Sequence, residues 1–200
     1  MIDQILRLPK EKLLRPVARH FNISPGIITG LGLVTGLLAA LMASRGWYGF
    51  ALLFWLLNRL LDGLDGEIAR VHRRQTDLGA YFDIMADLLI YALLPLALVL
   101  SQLEPKSWLA LSALISGFYI NAGSWMYLAS LLEKRGLGAR QKQEKTGITM
   151  PGGLIEGGET LLFFTAFLIL PQHLAFLFWS MTLLICITIV QRLHWASKHL

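Results

Sequence analysis

Apolar residues fill most of this chain in blocks long enough to cross a bilayer, broken by short polar or turn-rich stretches. Six blocks stand out, at 26–44, 48–70, 78–101, 108–132, 153–170 and 174–191. Between them lie Ser44-Arg45-Gly46, Val71 to Asp77, Ser101 to Lys106, Glu133 to Gly147 and Pro171-Gln172-His173. About 20 mainly apolar residues suffice for a helix to span the hydrocarbon core. Alternation with a period of two is absent, which argues against a membrane β-barrel. The pattern predicts an all-α integral membrane protein with six transmembrane helices. Residues 1–22 read differently. Ile2, Ile5, Leu6, Leu13, Val17 and Phe21 share roughly one helical face and the basic residues take the other. This predicts an amphipathic helix lying on anionic lipid ahead of the bundle. Its charges are interspersed rather than placed before an apolar run, so it is not read as a signal peptide. Ser24 is the expected N-cap of the first membrane helix, with Pro25 in its first turn. Length and pattern together predict one membrane domain over 1–200, with the six-helix bundle at 26–191.

Composition agrees with this picture. The hydrophobic fraction of 55% exceeds that of an ordinary soluble domain. Basic residues then set the orientation. Fifteen lysines and arginines fall on one side: Arg7 to Arg19, Arg70 to Arg74, Lys134 to Lys145, Arg192 and Lys198. Only Arg45 and Lys106 fall on the other. Both termini are therefore expected to be cytoplasmic. The net charge of +5 needs no nucleic acid to explain it, and no nucleic-acid-binding motif is present.

Against this apolar background, four aspartates crowd into a short stretch: Asp62, Asp65, Asp83 and Asp87. A carboxylate at membrane depth costs on the order of 2.5–3.5 kcal/mol, so the group calls for something positive between its members. At about 100° per residue, Asn58, Asp62, Asp65 and Ala69 form one helical stripe. Gly79, Asp83 and Asp87 form a second on the next helix. Two adjacent antiparallel helices can face these stripes together. All-oxygen carboxylate ligation suits Mg²⁺ or Mn²⁺, with Ca²⁺ as a third choice.

The segment Asp62-Gly63-Leu64-Asp65-Gly66-Glu67-Ile68-Ala69-Arg70, eight residues, then Gly79, Asp83 and Asp87 resembles the signature of the CDP-alcohol phosphatidyltransferases, D-x-x-D-G-x-x-A-R, eight residues, G-x-x-x-D-x-x-x-D. All eight fixed positions are filled over 26 residues. The resemblance implies transfer of the phosphatidyl group of CDP-diacylglycerol to the hydroxyl of a small, in some relatives phosphorylated, alcohol, with release of CMP. It implies Mg²⁺ or Mn²⁺, two ions, held by Asp62, Asp65, Asp83 and Asp87, with Asp87 as general base. Gly66, Ala69, Arg70 and Gly79 would line the nucleotide site. A homodimer is implied as well. Many relatives carry Pro-Asn at the start of the first membrane helix, where this chain has Pro25-Gly26.

Candidate acceptor-binding residues are Lys142 and Lys145 in the basic fourth loop, Arg192 at the end of the last helix, and Glu156 and Glu159. The last two open the fifth helix, either as dipole-stabilised first-turn acids or as cavity-facing groups. Gly157 and Thr160 stand where inositol-phosphate-using relatives carry arginines, so that acceptor does not transfer directly. Asn58 continues the aspartate stripe one turn deeper. Arg59 either pairs with an acidic group or snorkels. Glu67, about 150° around the helix from Asp62, is expected to be solvated or interfacial. Cys186 reads as a core residue, and His72 as an interfacial residue close to the motif. A different class also accommodates an intramembrane carboxylate cluster, namely a divalent-cation or proton-coupled transporter. That reading leaves the glycines and Arg70 unexplained.

Overall fold

A computed structural model of the chain describes residues 13–20, 22–137 and 152–200. Six longer helices follow a helical stretch at 13–20: α1 (Pro25–Ser44), α2 (Tyr48–Val71), α3 (Asp77–Gln102), α4 (Pro105–Lys134), α5 (Gly157–Ile169) and α6 (Leu174–His199). A 3₁₀ turn, Pro171–His173, joins the last two. No strand occurs among the described residues. α1 packs against α2 and α3, α4 pairs with α6, and α5 lies among α2, α3 and α6.

Local signals account for the helix ends. Ser24 stands at the N-cap of α1 and Pro25 follows in the first turn, as expected, although the serine side chain makes no capping bond. Thr76 caps α3, its Oγ1 accepting from the Gly79 N–H at 3.1 Å. Leu103, at φ 55°, ends α3, and Pro105 opens α4. α5 begins at Gly157 rather than near residue 153. Residues 153–156 instead form a loop fastened to α6, where the Leu154 N–H donates to Gln191 Oε1 at 3.0 Å and the Ile155 N–H to Thr188 Oγ1 at 2.9 Å. α6 runs further than expected, to His199.

The expectation of six spans is met in part. Four helical segments are long and apolar enough to cross a membrane: α1, α3, α4, and α6 with its preceding 3₁₀ turn. They make this a membrane protein. α2 has the length, at 24 residues, but its second half carries Arg59, Asp62, Asp65, Glu67 and Arg70. α5 has 13 residues. At 1.5 Å per residue it is about 20 Å long, short of a hydrocarbon core about 30 Å thick. One face of it is buried, with Phe164 and Phe167 fully enclosed, while Leu162 and Ile169 are exposed.

The described part of the N-terminal segment also departs from a helix lying free on lipid. Leu14 and Ala18 are buried, and Ala18 packs with Ile28 and Ile68. Leu13 and Val17 keep the exposed face expected of them. Cys186 is exposed on α6 rather than in the core, because the buried face of that helix is set by Met181, Ile185 and Thr188.

Two features hold the bundle. One is an aromatic cluster, in which Tyr91 of α3 meets Trp55, Phe118 and Phe164 edge-on or stacked at centroid distances of 6.4, 6.2 and 5.2 Å. The other is the small-residue face of α1. Gly32, Gly36, Ala39, Ala40 and Ala43 are all buried, which lets the neighbouring helices approach closely. A Cβ on Gly36 would stand 2.7 Å from Ile90 Cδ1 and 3.1 Å from Asn58 Nδ2, whereas a Cβ on Gly30 meets nothing within 4 Å. Gly36→Leu is therefore expected to destabilise the bundle by about 1–3 kcal/mol through overpacking, and Gly30→Leu to leave it near wild type. Thermal unfolding of the two purified variants in detergent checks the contrast.

Candidate functional site

Because α2 and α3 are joined by a short turn after Val71, they run antiparallel, and their acidic stripes meet. Asp62 and Asp65 from α2 and Asp83 and Asp87 from α3 line one cleft, together with Asn58 and Ala86. This is the juxtaposition expected from helical spacing. The third wall was not expected. Thr29, Gly32 and Leu33 of α1 complete the cleft, so the first helix contributes through residues one turn and more beyond Pro25-Gly26. The periodicity of α1 held no hint of this, because a threonine and a glycine in an apolar helix are ordinary packing residues until a partner is known.

Each aspartate has a distinct setting. Asp65 is buried, and its Oδ2 accepts a 2.6 Å hydrogen bond from Thr29 Oγ1. Asp62 and Asp83 are half-buried along the cleft. Asp87 is bound by Arg59, with Nη2 donating to Oδ1 at 2.6 Å and Nη1 to Oδ2 at 3.3 Å. Of the two readings of Arg59, pairing with an acid is thus the one observed. Asn58 lines the cleft one turn below Asp62, as expected. Its Nδ2 donates to the Gly32 carbonyl at 2.8 Å, and its Oδ1 accepts from Arg59 Nε at 2.8 Å. Among the described residues, no three His, Cys, Asp or Glu side chains converge tightly enough to ligate one ion. Asp65 and Asp87 spend oxygens on Thr29 and Arg59 instead.

The donor set nonetheless fits a hard divalent cation. Four carboxylates share one cleft, with Arg59 bound directly to Asp87, and hard oxygen donors are what Mg²⁺ and Mn²⁺ prefer.

The other motif residues lie beside the cleft rather than in its wall. Gly79 is exposed in the first turn of α3. Gly66 and Ala69 continue α2 past Asp65. Arg70 folds back over Gly66, where an added Cβ would meet its Nη1 at 3.4 Å. Arg70 donates from Nη2 to Glu67 Oε2 at 2.7 Å and from Nε to the same oxygen at 3.2 Å. Glu67 is therefore buried and paired, not solvated or interfacial as its helical angle suggested. The reason is tertiary. The face of α2 away from the cleft is covered near this point, where Ala18 packs on Ile68 and the Ala18 carbonyl lies 3.0 Å from His72 Nε2.

The candidate acceptor residues divide. Lys142 and Lys145 lie outside the described residues. Glu156 and Glu159 form a reciprocal capping box at the start of α5, with Glu156 Oε1 also accepting from the Gly153 N–H at 3.1 Å. Arg192 is buried, and its Nη1 donates to Asn121 Oδ1 at 2.7 Å and Ser124 Oγ at 2.8 Å on α4. None of these three lines the aspartate cleft. Asn121 and Ser124 were not singled out from the sequence. Their spacing of three, which puts both on one face of α4, was the available signal.

The model of the CDP-alcohol phosphatidyltransferase family matches residues 22–191. An inner membrane protein of Escherichia coli K12, YnjF, is 36% identical over 178 residues, covering 88% of this chain and 85% of that one. A CDP-diacylglycerol–serine O-phosphatidyltransferase of Helicobacter pylori is 32% identical over a shorter stretch of 73 residues, 36% of this chain and 30% of that one. Among solved structures, the phosphatidylinositol phosphate synthase PgsA1 of Mycobacterium tuberculosis shares the fold. Its complex with CDP-DAG superposes with a TM-score of 0.71 at 22% identity, covering 92% of this chain and 94% of that one. A second structure of the same enzyme, with manganese and citrate, gives the same TM-score at 23% identity, covering 92% of this chain and 88% of that one. The extent of the family match, which takes in all eight signature positions, and the similarity to YnjF show that this chain belongs to the CDP-alcohol phosphatidyltransferase family.

Proposed function

We propose that the protein transfers the phosphatidyl group of CDP-diacylglycerol to the hydroxyl of a small alcohol, releasing CMP in phospholipid synthesis. The observation that carries this reading is the meeting of Asp62, Asp65, Asp83 and Asp87 in one cleft at the family's spacing. The mycobacterial relatives that share the fold hold CDP-DAG in one structure and manganese in another, which supports the same ligands for this cleft. The distribution of basic residues supports a cytoplasmic mouth and cytoplasmic termini.

The four aspartates would hold Mg²⁺ or Mn²⁺, two ions in the complete site. Such ions neutralise the pyrophosphate and stabilise the departing phosphate of CMP. The remaining work falls to side chains. Asp87 is the general base. It is partly open to the cleft, with its side chain 30% exposed. Arg59 takes one lone pair of each oxygen, and a carboxylate keeps further lone pairs for an incoming proton. As the acceptor oxygen bonds to the β-phosphorus, its proton passes to Asp87 and the bond from that phosphorus to the bridging oxygen breaks. CMP leaves with the electron pair. Gly66, Ala69 and Gly79 keep the wall beside the cleft low for the cytidine, and Arg70 stands where it can exchange Glu67 for a phosphate. Lys142, Lys145, Glu156, Glu159 and Arg192 are assigned to the acceptor side. Thr29 holds Asp65 in place, a positioning role that the motif does not include.

Purified protein with CDP-diacylglycerol and Mg²⁺ or Mn²⁺ is expected to release CMP only when the right acceptor is supplied. The panel is glycerol 3-phosphate, inositol phosphate, inositol, serine and phosphatidylglycerol, with lipid products identified by mass. CMP release with none of them, from folded protein, would overturn the reading. Asp62→Asn and Asp83→Asn are each expected to lower turnover by at least about 100-fold, as loss of a ligating carboxylate does more than the 10–100-fold typical of outer-shell changes. Asp83→Asn should keep or raise thermal stability without metal, because it removes one of several mutually repelling charges. Wild-type turnover in either variant would reject the ligand assignment.

Arg192→Met is expected to raise KM for the acceptor about tenfold, a loss of about 1.4 kcal/mol in binding, with KM for CDP-diacylglycerol unchanged. An unchanged acceptor KM with reduced thermal stability would confine Arg192 to clamping α4 against α6.

A further inference from the structure

Glu67 occupies a variable position of the signature, directly after Gly66, yet its setting is specific. Its side chain is only 7% exposed, beside Ile68, which is fully buried and packs with Ala18 and Ile28. Its partner is Arg70, one turn on. Nη2 donates to Oε2 at 2.7 Å and Nε to the same oxygen at 3.2 Å. This pairing decides where the guanidinium lies. A Cβ built on Gly66 would stand 3.4 Å from Nη1, 3.8 Å from Nη2 and 3.9 Å from Cζ. The guanidinium therefore covers the space that the missing side chain of Gly66 leaves open.

In the reading above, Gly66 is a low wall for the cytidine and Arg70 reaches a phosphate. Neither role is met while Arg70 keeps its seat on Glu67. A nucleotide lying against Gly66 displaces the guanidinium that covers it, and a guanidinium that turns to a phosphate gives up Glu67. The carboxylate then stays buried without its partner, which is costly. The nucleotide must offset that cost before any net affinity appears. When CMP departs, the pair re-forms and the cost is recovered, which favours departure.

We propose that Glu67 sets the nucleotide affinity of the site by competing with the nucleotide for Arg70, so that re-formation of the pair helps to expel CMP. The inference rests on the reading of Gly66 and Arg70 as nucleotide-binding residues. Glu67 acts only through Arg70. Its role differs in sign from that of a structural ion pair. Loss of a structural pair weakens nucleotide binding or leaves it unchanged, whereas loss of a competitor tightens it.

CDP binding in the presence of Mg²⁺, followed by titration calorimetry on the purified full chain in detergent, tests this without turnover. Glu67→Gln keeps the shape and removes the charge. It is expected to bind CDP about tenfold more tightly than wild type, the ratio that separates a charge-assisted from a neutral hydrogen bond to Arg70. In an Arg70→Gln background the same change is expected to alter CDP affinity by less than about twofold, because no guanidinium remains to be contested. Unchanged or weaker CDP binding by folded Glu67→Gln overturns the proposal and leaves the pair structural. Equal tightening in both backgrounds overturns it too, since the gain then comes from removing a negative charge near an anion. A further measurement needs no variant at position 67. In wild type labelled with ¹⁵N-arginine, the Nε signal that is missing from Arg70→Gln is expected to shift when CDP is added. A signal unmoved at saturating CDP overturns the proposal. Wild type that binds no CDP overturns this proposal and the transferase reading together, whereas the other adverse results leave CMP release untouched.

Discussion

Repulsion among four carboxylates held by helix positions in an apolar bundle is the constraint around which this molecule is arranged. Burial removes the water that would otherwise screen them, and a buried charge without a partner is strongly destabilising. Some of the partners lie among the described residues. Thr29 donates to Asp65 and Arg59 to Asp87, while Asp62 and Asp83 face the same narrow cleft. A chain selected for stability alone would not keep such a group, so its retention is itself the argument for chemistry there.

The surrounding structure holds this arrangement in place. α1 can close on α2 and α3 because its inner face is made of glycine and alanine, and that closeness brings Thr29 and Gly32 to the aspartates. Behind Asp87, the ring cluster of Trp55, Tyr91 and Phe164 fixes both the aromatic seat of Arg59 and the register of α2 against α3 and α5. α5 does this from the inside. Its first turn is closed by its own glutamates and by bonds from the preceding loop to α6. Gly153 is required in that loop, since a Cβ there would collide with the Thr188 side chain.

Away from the aspartates, the charged groups are largely satisfied within the protein. Glu67 pairs with Arg70, and Arg192 is bonded to Asn121 and Ser124. Nucleotide or acceptor binding at these points must therefore exchange one partner for another rather than fill an empty seat. Such exchange gives selectivity, because a ligand that cannot replace the internal partner leaves a buried polar group unmet.

What was legible in the sequence was whatever depends on local periodicity. The spacing of Asp62 with Asp65 and of Asp83 with Asp87 puts each pair on one helical face, whatever the tertiary contacts, because 3.6 residues per turn is a property of the backbone. The short α2–α3 connection then makes the faces meet. The same local rules placed Ser24 and Pro25 at the start of α1. Apolar block length was a poorer guide, since it counts residues without knowing their neighbours. It gave α5 and α2 the same standing as the four long apolar helices, and it put Cys186 in a core that α6 turns away from. Only the tertiary structure decided which groups answer the charges. That Thr29 serves Asp65, that Arg59 takes Asp87 rather than snorkelling, and that Arg192 is held by Asn121 all depend on contacts between residues 28 to 71 positions apart, whereas Glu67 and Arg70 are neighbours on one helix and only the burial of the glutamate is tertiary. A sequence pattern states where a charge stands on its helix; what neutralises it is settled by which helix packs beside it.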